Sequence, residues 1–267
     1  MRSLRLGLIS DVHGNRAALD AVVADGSRAG VTTWWVLGDL VALGPEPVAT
    51  LERLADLANV RFVRGNTDRY VVTGERPWPH AADVEKDESL RTLFDAIEAS
   101  FSWTRNSLST DSLAFLAGLP SDQRIRLSDG ATLLGIHASV GSDDGPGITP
   151  HASDEDLATL LAGEDADLIC GGHTHQPTDR RLNDQRIVNL GSVSNPITSD
   201  LRASYVVVDD DSGGHVLSHR RVAYDHDEVL TQLRRSSHPE ARYLGSFQRG
   251  EQVRYPADRP HAPTLVE

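Results

Sequence analysis

Five short segments, far apart in the chain, each follow a hydrophobic run and carry side chains that bind divalent cations. They are Asp11-Val-His13-Gly-Asn15, Gly38-Asp39, Gly65-Asn66-Thr67-Asp68, Gly135-Ile-His137 and Gly171-Gly-His173-Thr-His175. Asp11, His13, Asp39, Asn66, His137, His173 and His175 together supply two carboxylates, one amide and four imidazoles. A catalytic two-metal site needs about this inventory, with one carboxylate bridging two ions and N and O ligands completing each sphere. One such segment would carry little information. Five in series, each closing a strand-like run, point to a metal centre.

Ligands drawn from distant segments need a rigid frame, and the strand C-termini of an α/β sheet converge at one edge. Strand-like runs at 4–10, 34–37 and 60–63 alternate with helical patterns at 15–30 and 45–57. Ala18, Leu19, Val22 and Val23 give the first helix its apolar face, Asn15 reads as its N-cap, and Pro45 sits near the first turn of the second. Units of this length imply parallel strands covered by helices. Residues 74–89, polar and containing Pro77 and Pro79, read as a surface excursion, and 90–104 and 111–118 as helices. Runs at 124–127 and 132–136 flank Ser128-Asp-Gly130, a hairpin signal. The Gly/Asp/Pro-rich stretch 139–153 directly follows His137 and should border the site. Strands at 167–170, 186–189, 203–208 and 215–222, a turn at 209–214 and a helix at 227–235 complete the pattern. The expectation is one α/β domain over 1–235 with two stacked sheets, followed by an arm or tail over 236–267.

Bulk properties narrow the functional classes. The 267-residue chain has a formal charge of −13, which argues against binding a nucleic-acid backbone. Bound divalent ions would still reverse the potential locally, so a small anionic substrate remains compatible. No apolar run approaches the roughly 20 residues of a membrane span. The chain opens on a strand-like run rather than a basic segment and a long apolar one, so a secretory signal is not expected. Its single Cys170 cannot form an internal disulfide, which fits a cytoplasmic location, and reads as a small buried strand residue rather than a catalytic thiol.

With these segments in order, the chain resembles the calcineurin-like metallophosphoesterase superfamily, whose pattern is D-x-H, GD, GN, H and GHxH. The likeness runs from Asp11 to His175 and on to Asn189-Leu-Gly191-Ser192-Val193, which is similar to the N-P-G-S-V segment of small bacterial phosphodiesterases and diadenosine-tetraphosphatase-like phosphatases. The resemblance implies a four-layer α/β/β/α sandwich of two mixed sheets. It assigns Asp11, His13 and His175 to one metal, Asn66, His137 and His173 to a second, and Asp39 to a bridge, with Asp39, Asn66 and His137 closest to catalysis. The cofactors implied are two divalent ions, drawn from manganese, iron, zinc, nickel or cobalt. The activity implied is hydrolysis of a phosphoric ester by in-line attack of a metal-bridging hydroxide, as a phosphodiesterase or phosphatase. A small phosphorylated substrate is expected, with nucleotides and diadenosine polyphosphates among the candidates, and no membrane or nucleic-acid partner; an oligomer is left open. Two alternatives stand beside this reading. A phosphoprotein phosphatase is disfavoured because Gly38-Asp39 is followed by Leu-Val, without the aspartate and Arg-Gly usual there. A scaffold with decayed chemistry is disfavoured because every expected ligand is present.

Several residues have competing readings. Asp68 either orients the ring N–H of His137 or His173 or makes an ordinary Asx turn. Arg64 and Arg69 read as solvated side chains rather than phosphate ligands. Ser192 lacks a G-x-S-x-G elbow and reads as support beneath the site. Trp34 and Trp35 read as core and rim, and His215, His219, His226, His238 and His261 as surface or core residues. Thr67 stands where many superfamily members carry a histidine that protonates the leaving group, and a threonine hydroxyl is too weak an acid for that role. His80 and His151, distant loop residues that read first as surface or core histidines, are the candidates to replace it. Substrates with good leaving groups should therefore be favoured: phenyl phosphate esters should be hydrolysed at least about tenfold faster than alkyl esters. Equal rates in a steady-state comparison would remove the argument.

Overall fold

The computed structural model describes residues 4–254. The first half runs β1 (Leu4–Ile9), α1 (Arg16–Arg28), β2 (Thr33–Leu37), α2 (Pro47–Ala55), β3 (Val60–Val63), α3 (Asn66–Thr73), α4 (Ala81–Val84), α5 (Arg91–Ser107) and α6 (Thr110–Ala117). The second runs β4 (Gln123–Arg126), β5 (Thr132–Gly135), α7 (Asp154–Leu161), β6 (Leu168–Gly171), β7 (Thr178–Leu182), β8 (Gln185–Asn189), β9 (Ala203–Asp211), β10 (Gly214–Val222), α8 (His226–Arg235) and α9 (Ala241–Gln248). One sheet has the order β10-β9-β1-β2-β3 and the other β4-β5-β6-β8-β7. Within them β1-β2-β3 and β5-β6-β8 pair in parallel, and the remaining pairs are antiparallel.

The period-two alternation of the strands builds the layers. Leu6, Leu8, Trp35, Leu37, Val206 and Val208 leave the first sheet on one face and meet Leu133, Leu168, Cys170 and Val188 of the second. The residues between them, including Trp34, Val36, Tyr205 and Val207, pack on Leu19 and Val22 of α1, Leu54 of α2 and Phe101 of α5. On the far side Leu134, Ile169 and Ile187 pack on Leu157, Leu160 and Leu161 of α7. The result is the expected α/β/β/α sandwich of two mixed five-stranded sheets. Both members of the Trp34-Trp35 pair are core residues, and Cys170 is fully buried, with its thiol pushed up by that burial.

Several local expectations need correcting. Pro47, rather than Pro45, occupies the first turn of α2. Strand β9 runs through Asp211, so the turn before β10 shrinks to two residues instead of spanning 209–214. Helix α3 begins inside the Gly65-Asn66 segment, α7 follows the 139–153 loop, and β7 is a polar edge strand whose alternation is too weak to announce itself. The excursion at 74–89 contains α4 and a 3-10 turn at Glu88–Leu90. In the segment expected as an arm from 236, α9 packs Leu244 against Val229 and Leu233 of α8. The remaining tail, 255–267, lies outside the described residues. Among the described residues no helix is long and apolar enough to cross a membrane.

The sheet-to-sheet layer should dominate stability. Leu8, fully buried there, should cost about 2–5 kcal/mol when changed to Ala. Val216, 63% exposed on β10, should change stability by no more than about 0.5 kcal/mol. Urea unfolding of L8A and V216A checks both; comparable losses would contradict this layering.

Candidate metal centre

Every ligand segment identified in the sequence leaves the C-terminal end of a parallel strand. Asp11 follows β1, Asp39 follows β2, Asn66 follows β3, His137 follows β5, and His173 and His175 follow β6. Two sheets therefore deliver their loops to one common edge. Backbone bonds tie those loops together: His13 N–H donates to Asp39 O (2.9 Å), Gly172 N–H to His137 O (3.0 Å), and Ser194 N–H to Asp11 O (3.1 Å). The loops turn sharply, and Asp11, His13, Asp39, His173 and His175 all have φ between 48° and 70°. This left-handed region costs an L-residue roughly 1–2 kcal/mol. Asp, Asn and His tolerate it better than most residues.

Two glycines make the crowding possible. A Cβ on Gly65 would lie 2.1 Å from Asp39 Oδ1, and one on Gly172 would lie 1.8 Å from Ser10 Oγ and 2.5 Å from Asp11 Oδ2. No side chain fits at either place.

The seven residues form one continuous cluster. His13 Nε2 lies 3.1 Å from His175 Nε2, which lies 3.3 Å from Asp11 Oδ1. Asn66 Oδ1 lies 3.1 Å from His137 Nε2 and 3.2 Å from His173 Nδ1. Asp39 sits between the two groups, with Oδ2 3.7 Å from His13 Nε2 and Oδ1 3.4 Å from His137 Nε2. Asp11, His13 and His175 satisfy the spacing of a cation site, as do Asp11, Asp39 and His137.

The outer nitrogens of the four rings reveal their tautomers. His13 Nδ1 faces Ala42 O (2.9 Å), His137 Nδ1 faces Leu37 O (2.7 Å), His173 Nε2 faces Gly145 O (2.7 Å) and His175 Nδ1 faces Asn195 O (2.7 Å). A carbonyl oxygen only accepts, so each of these nitrogens carries the N–H and each neutral ring turns its lone pair inward. His173 Nδ1 and Asn66 Oδ1 are then two acceptors at 3.2 Å. Likewise, either a proton on His175 or a cation must lie between His13 and His175. The donor set fits divalent metal ions.

The electrostatics agree. Burial and the neighbouring His175 hold His13 below the usual imidazole range against the pull of Asp39. Burial and His137 do the same to His173. Burial alone would raise Asp39, but His137 and His13 more than offset it and hold the carboxyl well below its usual range. Asp11 is likewise lowered by His175 in spite of burial. In return, Asp39 lifts His137 to about 10 and Asp11 raises His175, both against burial. Protonation is thus favoured on His137 and His175 and disfavoured on His13 and His173.

The structure resolves the competing readings. Asp68 accepts from Asp39 N–H (2.9 Å), Leu40 N–H (2.9 Å) and Gly65 N–H (3.0 Å), so it clamps the β2 and β3 loops rather than an imidazole. Burial and Asp39 push its pKa up to about 7, against the pull of the Gly65 and Leu40 N–H groups. Asn15 caps α1 by accepting from Ala18 N–H (3.0 Å) and also donates to Ser194 Oγ (3.0 Å). Ser192 Oγ donates to Asp11 O (3.0 Å), a supporting contact. Sequence reasoning missed the role of Asn189, whose buried side-chain amide donates to Gly172 O (2.6 Å), Thr174 Oγ1 (2.9 Å) and Ile148 O (3.0 Å) and so fixes the His173–His175 loop. Arg64 and Arg69 both pair with Asp143 of the 139–153 loop, at 2.7 and 3.0 Å. Thr67 donates its N–H to Asp39 Oδ1 (3.0 Å), while its buried hydroxyl has no partner. A cavity of about 890 Å³ opens from the centre, and both His80 and His151 line it.

A sequence profile of the calcineurin-like phosphoesterase superfamily domain matches residues 4–213. The chain belongs to that superfamily. It is similar to a metallophosphoesterase from Sphaerobacter thermophilus, with a TM-score of 0.72 and 26% identity over 93% of this chain and 99% of that one. A hypothetical protein of Pyrococcus horikoshii OT3 shares the fold, with a TM-score of 0.76 and 19% identity over 92% and 97% of the two chains. An uncharacterised protein of Methanocaldococcus jannaschii is 27% identical over 252 residues, covering 88% of this chain and 94% of its own. The profile ends before β10, so α8 and α9 also lie outside the region it matches, although the Sphaerobacter thermophilus structure covers 93% of this chain.

Among the described residues Asp68 hydrogen-bonds backbone N–H groups rather than an imidazole, yet it should govern the centre through its loop clamp. D68N puts an NH₂ group where N–H donors converge and should weaken manganese binding by about 10–100-fold with the fold retained. Isothermal titration and circular dichroism check this; unchanged affinity in a folded variant would contradict it.

Proposed function

We propose that the protein is a dinuclear-metal-dependent phosphoric ester hydrolase, acting as a phosphodiesterase or phosphatase on small phosphorylated substrates. The observation that carries this reading is the set of inward-facing acceptors: His173 Nδ1 against Asn66 Oδ1 at 3.2 Å, and His13 Nε2 against His175 Nε2 at 3.1 Å. Asp11, His13 and His175 would hold one cation, and Asn66, His137 and His173 the other. Asp39 would join them, since one of its oxygens faces His13 and the other His137. When bound there, two divalent ions, of manganese, iron, zinc, nickel or cobalt, would supply a hydroxide for in-line attack on phosphorus and charge stabilisation for the phosphoryl oxygens.

The chain's own residues then have defined tasks. The carbonyls of Ala42, Leu37, Gly145 and Asn195 fix the ring orientations. Asn66, a neutral ligand, keeps the site from accumulating negative charge that would repel phosphate. Thr67 offers no proton to a leaving group; His80 and His151, which line the cavity, are the candidates to supply one. The lone, buried Cys170 fits action in a reducing cytoplasm.

The test is turnover of p-nitrophenyl phosphate and bis-p-nitrophenyl phosphate with added manganese. Activity should vanish on chelation, return with metal, and fall by about 100-fold or more in D39N. A well-folded, metal-loaded protein that turns over neither ester would instead be a scaffold with this fold.

A further inference from the structure

The cavity is far larger than a phosphoryl group requires. At about 890 Å³ it matches the pockets that enclose whole drug-sized ligands. Its floor is the metal centre, but its outer wall is of a different chemistry. Trp78, from the 74–89 segment, lines it with 40% of its surface exposed. Tyr243 and Phe247, one turn apart on α9, line it too, with their rings edge to face at 5.5 Å. An indole left this open at the mouth of a cavity is unusual in a folded domain, where tryptophan is highly buried on average.

The charged groups of the same wall are already engaged. Arg69 pairs with Asp143 (3.0 Å), Asp144 (3.2 Å) and Glu75. Arg76 pairs with Glu98 (3.3 Å) and lies over the Phe101 ring. The outer cavity is therefore suited to a flat, weakly charged body rather than to a further phosphate. Aromatic walls favour such bodies because stacking rewards any planar ring.

We propose that Trp78, Tyr243 and Phe247 form a subsite for a planar aromatic group of nucleobase size on the organic side of the phosphate. The subsite takes its phosphate anchor from the hydrolase reading above and adds the class of substrate: nucleotide-like esters or anhydrides in preference to sugar phosphates or inorganic phosphoanhydrides. Tyr243 and Phe247 come from α9, outside the region matched by the superfamily profile, so selectivity would reside apart from the segments that carry the candidate metal site.

The experiment compares two ligands resistant to hydrolysis, α,β-methylene-adenosine diphosphate and methylenediphosphonate, which differ by the nucleoside. Calorimetric titration of the manganese-loaded protein should give about tenfold or greater tighter binding of the nucleotide. W78A and F247L should each erase most of that preference while leaving methylenediphosphonate affinity unchanged. Equal affinities in the unaltered protein, or a preference that survives both substitutions, would overturn the subsite. Turnover of bis-p-nitrophenyl phosphate by the same preparation separates the two readings. Turnover without nucleoside preference removes the subsite alone, and preference without turnover removes the hydrolase assignment alone.

Discussion

Acceptor atoms held against one another are the constraint from which the rest of this molecule follows. Three buried imidazoles and the half-buried His175 each spend one N–H on a backbone carbonyl and turn the other nitrogen toward Asp11, Asp39 or Asn66. Such a cluster is unfavourable unless protons or cations fill it, and protons can do so only in part. Burial and neighbouring charge disfavour protonation of His13 and His173 even while Asp39 and Asp11 favour it on His137 and His175. Divalent ions would satisfy all four rings and both carboxylates together.

The fold can be understood as the apparatus that holds this arrangement. Two sheets packed through Leu8, Trp35, Leu133 and Val188 present their parallel strand ends at one edge. The connecting loops bend through left-handed residues, and that strain persists because the surroundings over-determine it. Asp68 clamps two loops by three N–H groups, and Asn189 clamps another through three acceptors. Neither Asp68 nor Asn189 belongs to the seven-residue cluster, yet each fixes where its members stand.

The clustered candidate residues and the layers were legible in the sequence because both rest on local pattern. Alternating strands such as 4–9 announce two buried faces, and Asp11, His13, Asp39, His137, His173 and His175 close runs of that type. What escaped was long-range or chemically ambiguous. Asp68 serves backbone N–H groups contributed by the β2 loop, almost thirty residues away, which no spacing reveals. Strand β7, Thr178–Leu182, is polar because it lies at a sheet edge. Helix α9 carries Tyr243, Leu244 and Phe247 at helical spacing, but the Arg, His and Pro around it obscured the stripe. Residues 74–89, read as mere surface, line the cavity with Glu75, Arg76 and Trp78.

The central claim concerns cations paired across Asp39, and anomalous diffraction at the manganese edge from metal-loaded crystals addresses it without reference to any substrate. Two adjacent peaks are predicted, one bounded by Asp11, His13 and His175 and the other by Asn66, His137 and His173, with an oxygen of Asp39 directed at each. A loaded crystal with no such pair, and with the Asp39 carboxylate turned away from the imidazoles, would contradict the account.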